Sequence, residues 1–265
     1  MHLNLKRSGE GDEKIVAIHG LGSAATAWDL VKPHFEKNFE FITLDLPGHG
    51  NSKLEANLQM APSHLADLII KELVKNGIET FHLVGNSLGG WIALEMAARY
   101  PDRVLSITGV APAGLWLVPS KTRIPKYAIS RYMARATYRF AYPIARIEYM
   151  RYIGFRYVSP QWEKFSIETC AEAAIAMGSA TGYYTLWDAF LGNRFDSEIS
   201  EDIPVTIIFG DTDLTLPVEN CQERSLVPKH SDWIVLPNSG HAPMWDQVDA
   251  VISETIKTIN KTRKP

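Results

Sequence analysis

The sequence predicts an α/β fold, a doubly wound and mostly parallel sheet of the α/β type with a helical cap inserted into it. Short β-branched, apolar runs alternate with longer segments whose apolar residues recur at helical spacing. The short runs are mostly apolar, as are strands buried on both faces of a parallel sheet. A change of composition at residues 114–195 predicts the inserted cap.

Strands and helices alternate over the first half of the chain. Apolar runs that end in glycine or a turn predict strands at residues 14–20, 39–48, 80–85 and 103–114. Helical spacing predicts helices at residues 27–35, 62–77 and 88–102. Gly77 and Pro101 end the last two of these helices.

The alternation resumes near the C-terminus. Strands are predicted at residues 203–211 and 231–237, and helices at residues 216–226 and 244–261. Right-handed crossovers between parallel strands give an open, doubly wound sheet. Ligands of such sheets bind outside the carboxyl ends of the strands, so we expect the site at that edge.

Residues 114–195 differ in composition from the rest of the chain. They hold 17 of the 27 aromatic residues, and 11 Lys or Arg against 5 Asp or Glu. Their patterns are helical, at residues 125–142, 144–155, 167–180 and 183–192. We therefore expect a core domain formed by residues 1–113 and 196–265, with residues 114–195 as a cap over the carboxyl edge of the sheet.

Whole-chain properties exclude several classes of protein. The net charge of -3 gives no sign of nucleic-acid binding. The N-terminus has no apolar stretch of signal-peptide length, and no apolar run could span a bilayer. Cys170 and Cys221 have no metal or redox spacing, which indicates reduced thiols in a cytoplasmic protein; a single disulfide is the alternative. No metal or cofactor is predicted.

Ser87 is the candidate nucleophile. It lies between Gly85 and Gly89, directly after a predicted strand and before a predicted helix. Gly-x-Ser-x-Gly at such a position forms a sharp turn, and side chains at the glycine positions would collide with the neighbouring strand and helix. The turn would expose Ser87 above the sheet at the positive end of a helix.

A serine nucleophile needs a histidine base and a carboxylate, in the chain order Ser, Asp/Glu, His. His241 follows the last predicted strand at the carboxyl edge, whereas His230 precedes that strand at the opposite edge. His241 is therefore the candidate base. Asp211 and Asp213 both lie at the carboxyl end of the preceding strand, and strand geometry does not separate them.

Two backbone N–H groups are expected to bind the developing oxyanion. One belongs to Leu88, the residue after the nucleophile. The other comes from the loop after the strand at residues 14–20, with Leu21 as first choice and Gly22 in reserve. His19 is expected to brace this loop.

The same loop also fits a dinucleotide fingerprint. Gly20, Gly22 and Ala25 have the G-x-G-x-x-A spacing, and Asp45 ends the next strand as a ribose-binding acid would. Two features oppose a Rossmann oxidoreductase. The chain contains no Tyr-x-x-x-Lys pair, and this interpretation leaves the stretch GNSLGG without a role.

These segments together resemble the α/β-hydrolase family in its Ser-Asp-His form. The resemblance rests on HGLGSAATAW, DLPGHGNS, GNSLGGWIALEMAARYPDRV and the pair GDTD and SGHAP. It implies that the acid lies in a Gly-x-x-Asp turn, which makes Asp213 the triad acid beside Ser87 and His241. The chain departs from many members at its N-terminus, where only one strand is expected, at residues 2–7.

The resemblance implies acyl transfer to water through an acyl-enzyme. The aromatic residues of the cap indicate an apolar pocket for acyl or aromatic groups. GNSLGG and APAGLW resemble meta-cleavage-product hydrolases, which split carbon–carbon bonds. A carboxylesterase for small to medium apolar acyl esters needs fewer special groups and is the first choice. A triad-bearing small-molecule receptor is a further alternative. Five residues are candidate pocket walls: Gly22, Trp28, Trp116, Trp187 and Met244.

Three arginines recur every fourth residue in the cap. Arg131, Arg135 and Arg139 would form a basic stripe on one helix face. Such a stripe is usually a solvated face, and contact with an anionic membrane surface or substrate is the alternative hypothesis.

Overall fold

The computed structural model describes residues 2–263, in which seven strands form one sheet. The strands are β1 (Leu5–Ser8), β2 (Lys14–Ile18), β3 (Glu40–Leu44), β4 (Phe81–Asn86), β5 (Val104–Val110), β6 (Val205–Gly210) and β7 (Asp232–Leu236). Their order is β1-β3-β2-β4-β5-β6-β7. Only β1, at the edge, is antiparallel to its neighbour among these strands, with Leu5 opposite Leu44.

The described residues also form eleven α-helices. They are α1 (Lys32–Phe35), α2 (Pro62–Lys75), α3 (Leu88–Arg99), α4 (Pro125–Thr137), α5 (Ala141–Ala145), α6 (Glu148–Phe155), α7 (Ile167–Ser179), α8 (Tyr183–Phe190), α9 (Val218–Cys221), α10 (Pro243–Asp246) and α11 (Val248–Asn260). The predicted mostly parallel α/β fold is confirmed.

The core lies on both faces of the sheet because successive strand residues point to opposite sides. Val16 and Ile18 of β2 pack in a cluster with apolar residues of α2 and α3. Ile15 and Ala17 of the same strand pack in a second cluster with residues of α1 and α11. Burial on both faces explains why apolar residues predominate in the central strands.

Along the chain, helices α4 to α8 follow β5 and precede β6. We call residues 114–195, which contain these helices, the helical insertion. They pack among themselves, with α7 against both α4 and α5. They contribute two apolar clusters, one around Phe165 and Ala171 and one around Tyr183 and Trp187. Within residues 2–263, no helix combines the length and the apolar character needed to cross a membrane. Cys170 and Cys221 are free thiols.

Three predicted helices are interrupted. The segment 27–35 contains only the end of a 3₁₀ turn (Ala25–Trp28) and the four-residue α1. The segment 244–261 divides at Gln247, whose φ of -133° and ψ of 55° are not helical, so α10 and α11 are separate. The segment 216–226 is helical only in α9 and in one short 3₁₀ turn. The reason is tertiary: the N–H of Glu223 donates to the carbonyl of Leu115 at 2.9 Å, which draws the chain out of the helix.

Candidate active site

Ser87 lies in a strained turn between β4 and α3. Its φ of 54° and ψ of -120° are unusual for a residue with a side chain, and such geometry costs on the order of 1–3 kcal/mol. The turn is held by its backbone: the Ser87 N–H donates to Val110 O at 3.0 Å, and the N–H groups of Gly90 and Ala113 each donate to Ser87 O at 2.9 Å. The side chain remains partly exposed at the carboxyl edge.

The glycines on either side of Ser87 are required by close backbone contacts. A Cβ on Gly85 would lie 2.3 Å from the carbonyl oxygen of Gly89. A Cβ on Gly89 would lie 2.1 Å from the carbonyl oxygen of Ile18, at the end of β2. Helix α3 can therefore begin this close to the sheet only where both positions lack a side chain.

Asp213 and His241 are hydrogen-bonded to each other. The Nδ1 atom of His241 lies 2.8 Å from Oδ2 of Asp213, whose side chain is 0% exposed. The other carboxylate oxygen accepts the N–H groups of Thr215 and Leu216, each at 2.8 Å. All three bonds place a donor on the carboxylate, so Nδ1 of His241 carries the hydrogen and Nε2 is left as a base.

Asp211 and His230, the alternative acid and base, lie away from the pair formed by Asp213 and His241. Asp211 is exposed, and its carboxylate accepts the N–H of Ser239 at 3.2 Å rather than an imidazole. His230 is exposed, and its Nε2 lies 2.9 Å from the carbonyl oxygen of Ile203, before β6. The structure therefore joins His241 to the acid that the resemblance favours.

Asn86, directly before Ser87, connects the serine turn to the histidine loop. Its Nδ2 donates to the carbonyl of Val110 at 3.0 Å and to the carbonyl of His241 at 3.1 Å. Across residues 2–263, Ser87 Oγ and His241 Nε2 are not hydrogen-bonded to each other. Catalytic hydrogen bonds of this kind often form fully only when substrate is bound.

The loop after β2 lies beside Ser87. A Cβ on Gly20 would be 2.9 Å from the Cβ of Ser87. His19 braces this loop from below: its Nδ1–H donates to Gly20 O at 2.7 Å, and its Nε2 accepts the N–H of Leu46 at 3.0 Å. Burial lowers the pKa of His19, which favours the neutral ring that these two bonds require.

His49 accepts a hydrogen bond from one of the N–H groups of this loop. Its Nε2 accepts the Gly22 N–H at 3.1 Å, and burial lowers the pKa of His49 to about 3. The Gly22 N–H is thus occupied. Within the described part of the chain, the N–H groups of Leu21 and Leu88 have no acceptor. These are the two donors that the sequence favours for an oxyanion.

Asp45 connects the loop after β2 with the loop after β3 and is 2% exposed, so its carboxylate is not accessible to a ribose. Its carboxylate accepts the N–H of Ala25 at 2.8 Å, the N–H of Asn51 at 2.9 Å and the amide of Asn4 at 2.8 Å. A Cβ on Gly50 would lie 2.3 Å from its carboxylate. The dinucleotide alternative therefore lacks the free acid that it needs.

The five candidate pocket residues separate into two groups. Gly22 lies against the insertion, where a Cβ would be 2.6 Å from Met177 and 2.8 Å from Tyr183. Trp187 packs in the apolar cluster of the insertion that also includes Tyr183 and Leu21. Trp116 packs edge-on against Trp91 with ring centroids 5.5 Å apart.

The other two candidates are part of the protein core. Trp28 and Met244 are 0% and 2% exposed, and both pack in the cluster formed with α1 and α11. The prediction that these two residues line the pocket is therefore corrected: they lie in the core. Their apolar character reflects the core beneath the site, which composition alone does not distinguish from a pocket.

The predicted arginine stripe does not form. Arg131 is 6% exposed, and its guanidinium donates to the carbonyls of Gly178 at 2.9 Å and Ala180 at 2.6 Å. Arg135 and Arg139 are exposed. Arg131 thus fastens α4 to the end of α7, since the helix face that carries it turns toward α7.

The insertion binds the loop of residues 211–217, which carries Asp213 and which we call the acid loop; the sequence does not predict this contact. The hydroxyl of Tyr127 donates to the carbonyl of Thr215 at 2.9 Å, and the Lys126 ammonium donates to the carbonyl of Leu214 at 3.1 Å. Burial raises the pKa of Tyr127 to about 12, which keeps the phenol protonated as a donor. No local sequence signal marks these contacts, because their acceptors are backbone carbonyls distant along the chain.

Comparison with known proteins gives a consistent result. A family model described as the alpha/beta hydrolase fold matches residues 14–248. A pimeloyl-[acyl-carrier protein] methyl ester esterase of Vibrio atlanticus is 24% identical over 96% of each chain. Of three other curated relatives that it matches, the chain spans only 27–29% of the length.

Solved structures share the fold over almost the whole chain. The enol-lactonase from Burkholderia xenovorans LB400 superimposes with a TM-score of 0.76 at 19% identity, covering 97% of this chain and 96% of that one. A meta-cleavage product hydrolase from Pseudomonas fluorescens IP01 superimposes with a TM-score of 0.71 at 21% identity, covering 98% and 94%. At these identities the likeness shows the fold alone.

Proposed function

The chain belongs to the α/β-hydrolase family, and we propose that it is a serine hydrolase that cleaves a small to medium apolar carboxylic ester. The observation that carries this proposal is the buried Asp213 carboxylate on His241, at the same sheet edge as the strained Ser87 turn. An acid, a base and a partly exposed alcohol from three distant segments lie at this edge. Asn86 connects the serine turn to the histidine loop.

Each group has a role in the proposed reaction. His241 Nε2 takes the proton of Ser87 Oγ as that oxygen bonds to the ester carbonyl carbon. The N–H groups of Leu21 and Leu88 bind the oxyanion, and His241 returns the proton to the leaving alkoxide as the ester bond breaks. Water then attacks the acyl-enzyme by the same sequence and releases the acid. Asp213 holds the imidazole and stabilises its charged form.

We assign the apolar acyl group to the region between the loop after β2 and the insertion. Leu21 of that loop packs in one cluster with Tyr183 and Trp187. An apolar wall beside an oxyanion donor suits an acyl chain better than a charged substrate. The division into a core (residues 1–113 and 196–265) and a cap (residues 114–195) belongs to this proposal, as does a cytoplasmic location.

The described activities of similar proteins include both ester hydrolysis and carbon–carbon bond hydrolysis. The Vibrio relative, which aligns over 96% of each chain, is described as an esterase, and this favours an ester. The Pseudomonas structure is a meta-cleavage product hydrolase, which keeps carbon–carbon bond hydrolysis as the second candidate. Both reactions use a serine triad, so a substrate panel must separate them.

The test is hydrolysis of p-nitrophenyl esters from acetate to decanoate by the wild type, Ser87→Ala and Ser130→Ala. Ser130 is an exposed serine on α4 and serves as the matched control. We expect turnover that Ser87→Ala lowers by at least about 10⁴-fold and Ser130→Ala leaves unchanged. Turnover only of a meta-cleavage product, or one slow turnover with persistent product binding, would contradict an esterase and support the carbon–carbon hydrolase or the receptor.

We also propose that the insertion contacts an anionic lipid surface. Of the 19 large apolar side chains exposed within residues 2–263, 14 lie in the insertion, including Ile129, Tyr132 and Met133 on one face of α4. The segment also carries 11 basic and 5 acidic residues. Apolar and basic groups together suit an anionic membrane surface. A second copy of the chain would instead place two positive surfaces against each other.

A further inference from the structure

The loop that carries His241 is held by the insertion as well as by the sheet. The His241 N–H donates to the carbonyl of Val158 at 2.7 Å, just beyond α6. A Cβ on Gly240 would lie 2.2 Å from that same oxygen. The histidine loop and the insertion are therefore in direct backbone contact.

The carboxylate of Asp246 connects the same two segments. One of its oxygens accepts the Gly240 N–H at 2.7 Å and the Ser239 hydroxyl at 3.4 Å. The other accepts the hydroxyl of Ser159, which belongs to the insertion and is 1% exposed. Asp246 is thus a bridge between the residue before His241 and the insertion.

Gln161 completes the network. Its N–H donates to the Ser159 hydroxyl oxygen at 2.8 Å, and its side-chain amide donates to the carbonyls of Asn238 at 2.7 Å and Asp246 at 3.2 Å. Every residue from 238 to 241 is therefore bonded to Val158, Gln161 or Asp246.

We propose that Ser159, Gln161 and Asp246 are positioning residues that hold the imidazole of His241 toward Ser87. This inference rests on the proposed function, because it assigns a task within the proposed triad. None of the three is bonded to Ser87 or to the imidazole; they fix the backbone from which the imidazole projects. Asp213 orients the ring itself, and Asn86 holds the same loop from the sheet side. The insertion then contributes to the proton transfer and is more than a cover.

Ser159→Ala, Asp246→Asn and Gln161→Ala test this role in the full chain. A misplaced base costs up to about 100-fold in rate, so we expect kcat to fall about 10- to 100-fold with KM changed less than about threefold. The double variant Ser159→Ala/Asp246→Asn should lose less than the product of the single losses, since both remove one bridge. Thr258→Val, which disrupts a buried hydroxyl pair with Thr206 far from this loop, is the control for lost stability.

A second measurement does not depend on turnover. The imidazole signals of His241 in ¹⁵N-labelled protein should shift or broaden in the Ser159 and Asp246 variants and remain in place in Thr258→Val. Unchanged kcat and unchanged imidazole signals, with only a lower melting temperature, would overturn the positioning role. If the wild type hydrolyses no ester and Ser87 does not react with a fluorophosphonate, the proposed function fails instead, and the imidazole signals still decide whether the network holds the ring.

Discussion

His241 Nδ1 and Asp213 Oδ2 lie 2.8 Å apart although 28 residues separate them in the chain. The two residues follow β7 and β6, which are adjacent parallel strands. Their carboxyl ends therefore meet at one edge of the sheet. Asp211, two residues before Asp213, faces solvent and supplies a matched comparison.

Asp213→Asn should nearly abolish activity, whereas Asp211→Asn should not. The amide oxygen would keep the N–H groups of Thr215 and Leu216, so the amide NH₂ would face His241 Nδ1 as a donor and favour the wrong tautomer. The amide also does not stabilise the charged ring, so we expect kcat to fall about 10⁴-fold. Asp211→Asn should stay within about threefold of the wild type. Kinetics on the best p-nitrophenyl ester measure both, and equal losses in the two variants would refute the assignment of the acid.

Gly89→Ala should prevent correct folding of the serine turn. The added Cβ would lie 2.1 Å from the carbonyl oxygen of Ile18, and backbone atoms on both sides cannot yield cheaply. Gly154→Ala is the matched control, because the new Cβ in α6 meets no atom within 4 Å and alanine favours helix by about 0.5–1 kcal/mol. Urea unfolding should show a large loss of stability for the first variant and a small gain for the second. A stable, active Gly89→Ala protein would show that the turn tolerates a side chain.

The sequence is informative where function depends on local spacing. Gly85, Ser87 and Gly89 lie within five residues, and the close backbone contacts that require them follow from the strand–turn–helix pattern alone. The alternation of strands and helices likewise predicts the sheet and places His241 at its carboxyl edge. These features need no knowledge of which distant side chains meet.

Other features depend on tertiary packing and could not be predicted. Helical spacing puts Arg131 and Arg135 on similar faces of α4, but only the position of α7 determines that Arg131 is buried. Trp28 and Met244 are apolar in either a core or a pocket. The hydrogen bond from Tyr127 to the acid loop could not be predicted because its acceptor is a backbone carbonyl, which any residue carries.

Acidification should destabilise the protein through His49. The folded pKa of His49 is lowered to about 3 from 6.5, so the unfolded chain binds the proton first. The contribution of this residue is full above about pH 6.5, and it declines as the pH falls toward 3, by at most about 1.4 kcal/mol per pH unit. His49→Gln should reduce that slope because glutamine does not titrate, yet its carbonyl can accept the Gly22 N–H.

Urea unfolding between about pH 4.5 and 7.5 measures this slope for the wild type and for His49→Gln. His34→Gln, in an exposed position on α1, is the control and should keep the wild-type slope. If His49→Gln keeps the same slope as the wild type, His49 is already protonated in the folded protein and the neutral acceptor for Gly22 is wrong.

Arg131→Gln should destabilise the protein much more than Arg139→Gln. The first change removes two hydrogen bonds, which leaves the buried carbonyl of Ala180 without its side-chain donor and that of Gly178 with only the long bond from Arg135 at 3.5 Å. Such a loss costs about 1–3 kcal/mol. Arg139 is exposed, and surface changes are usually within about 0.5 kcal/mol. Thermal unfolding compares the two variants, and equal melting temperatures would indicate that Arg131 is solvated like its neighbours.

The proposed lipid contact predicts co-sedimentation with vesicles that contain phosphatidylglycerol, weaker binding at high salt, and little binding to pure phosphatidylcholine. Tyr132→Ser/Met133→Ser removes two exposed side chains, 72% and 51% accessible, from α4 and should weaken binding without lowering the melting temperature. Leu30→Ser, an exposed apolar position outside the insertion, should bind like the wild type. The proposal is wrong if the protein binds neither kind of vesicle. It is also wrong if the protein forms a dimer in solution that Tyr132→Ser/Met133→Ser disrupts, because the exposed face would then bind a second copy of the chain.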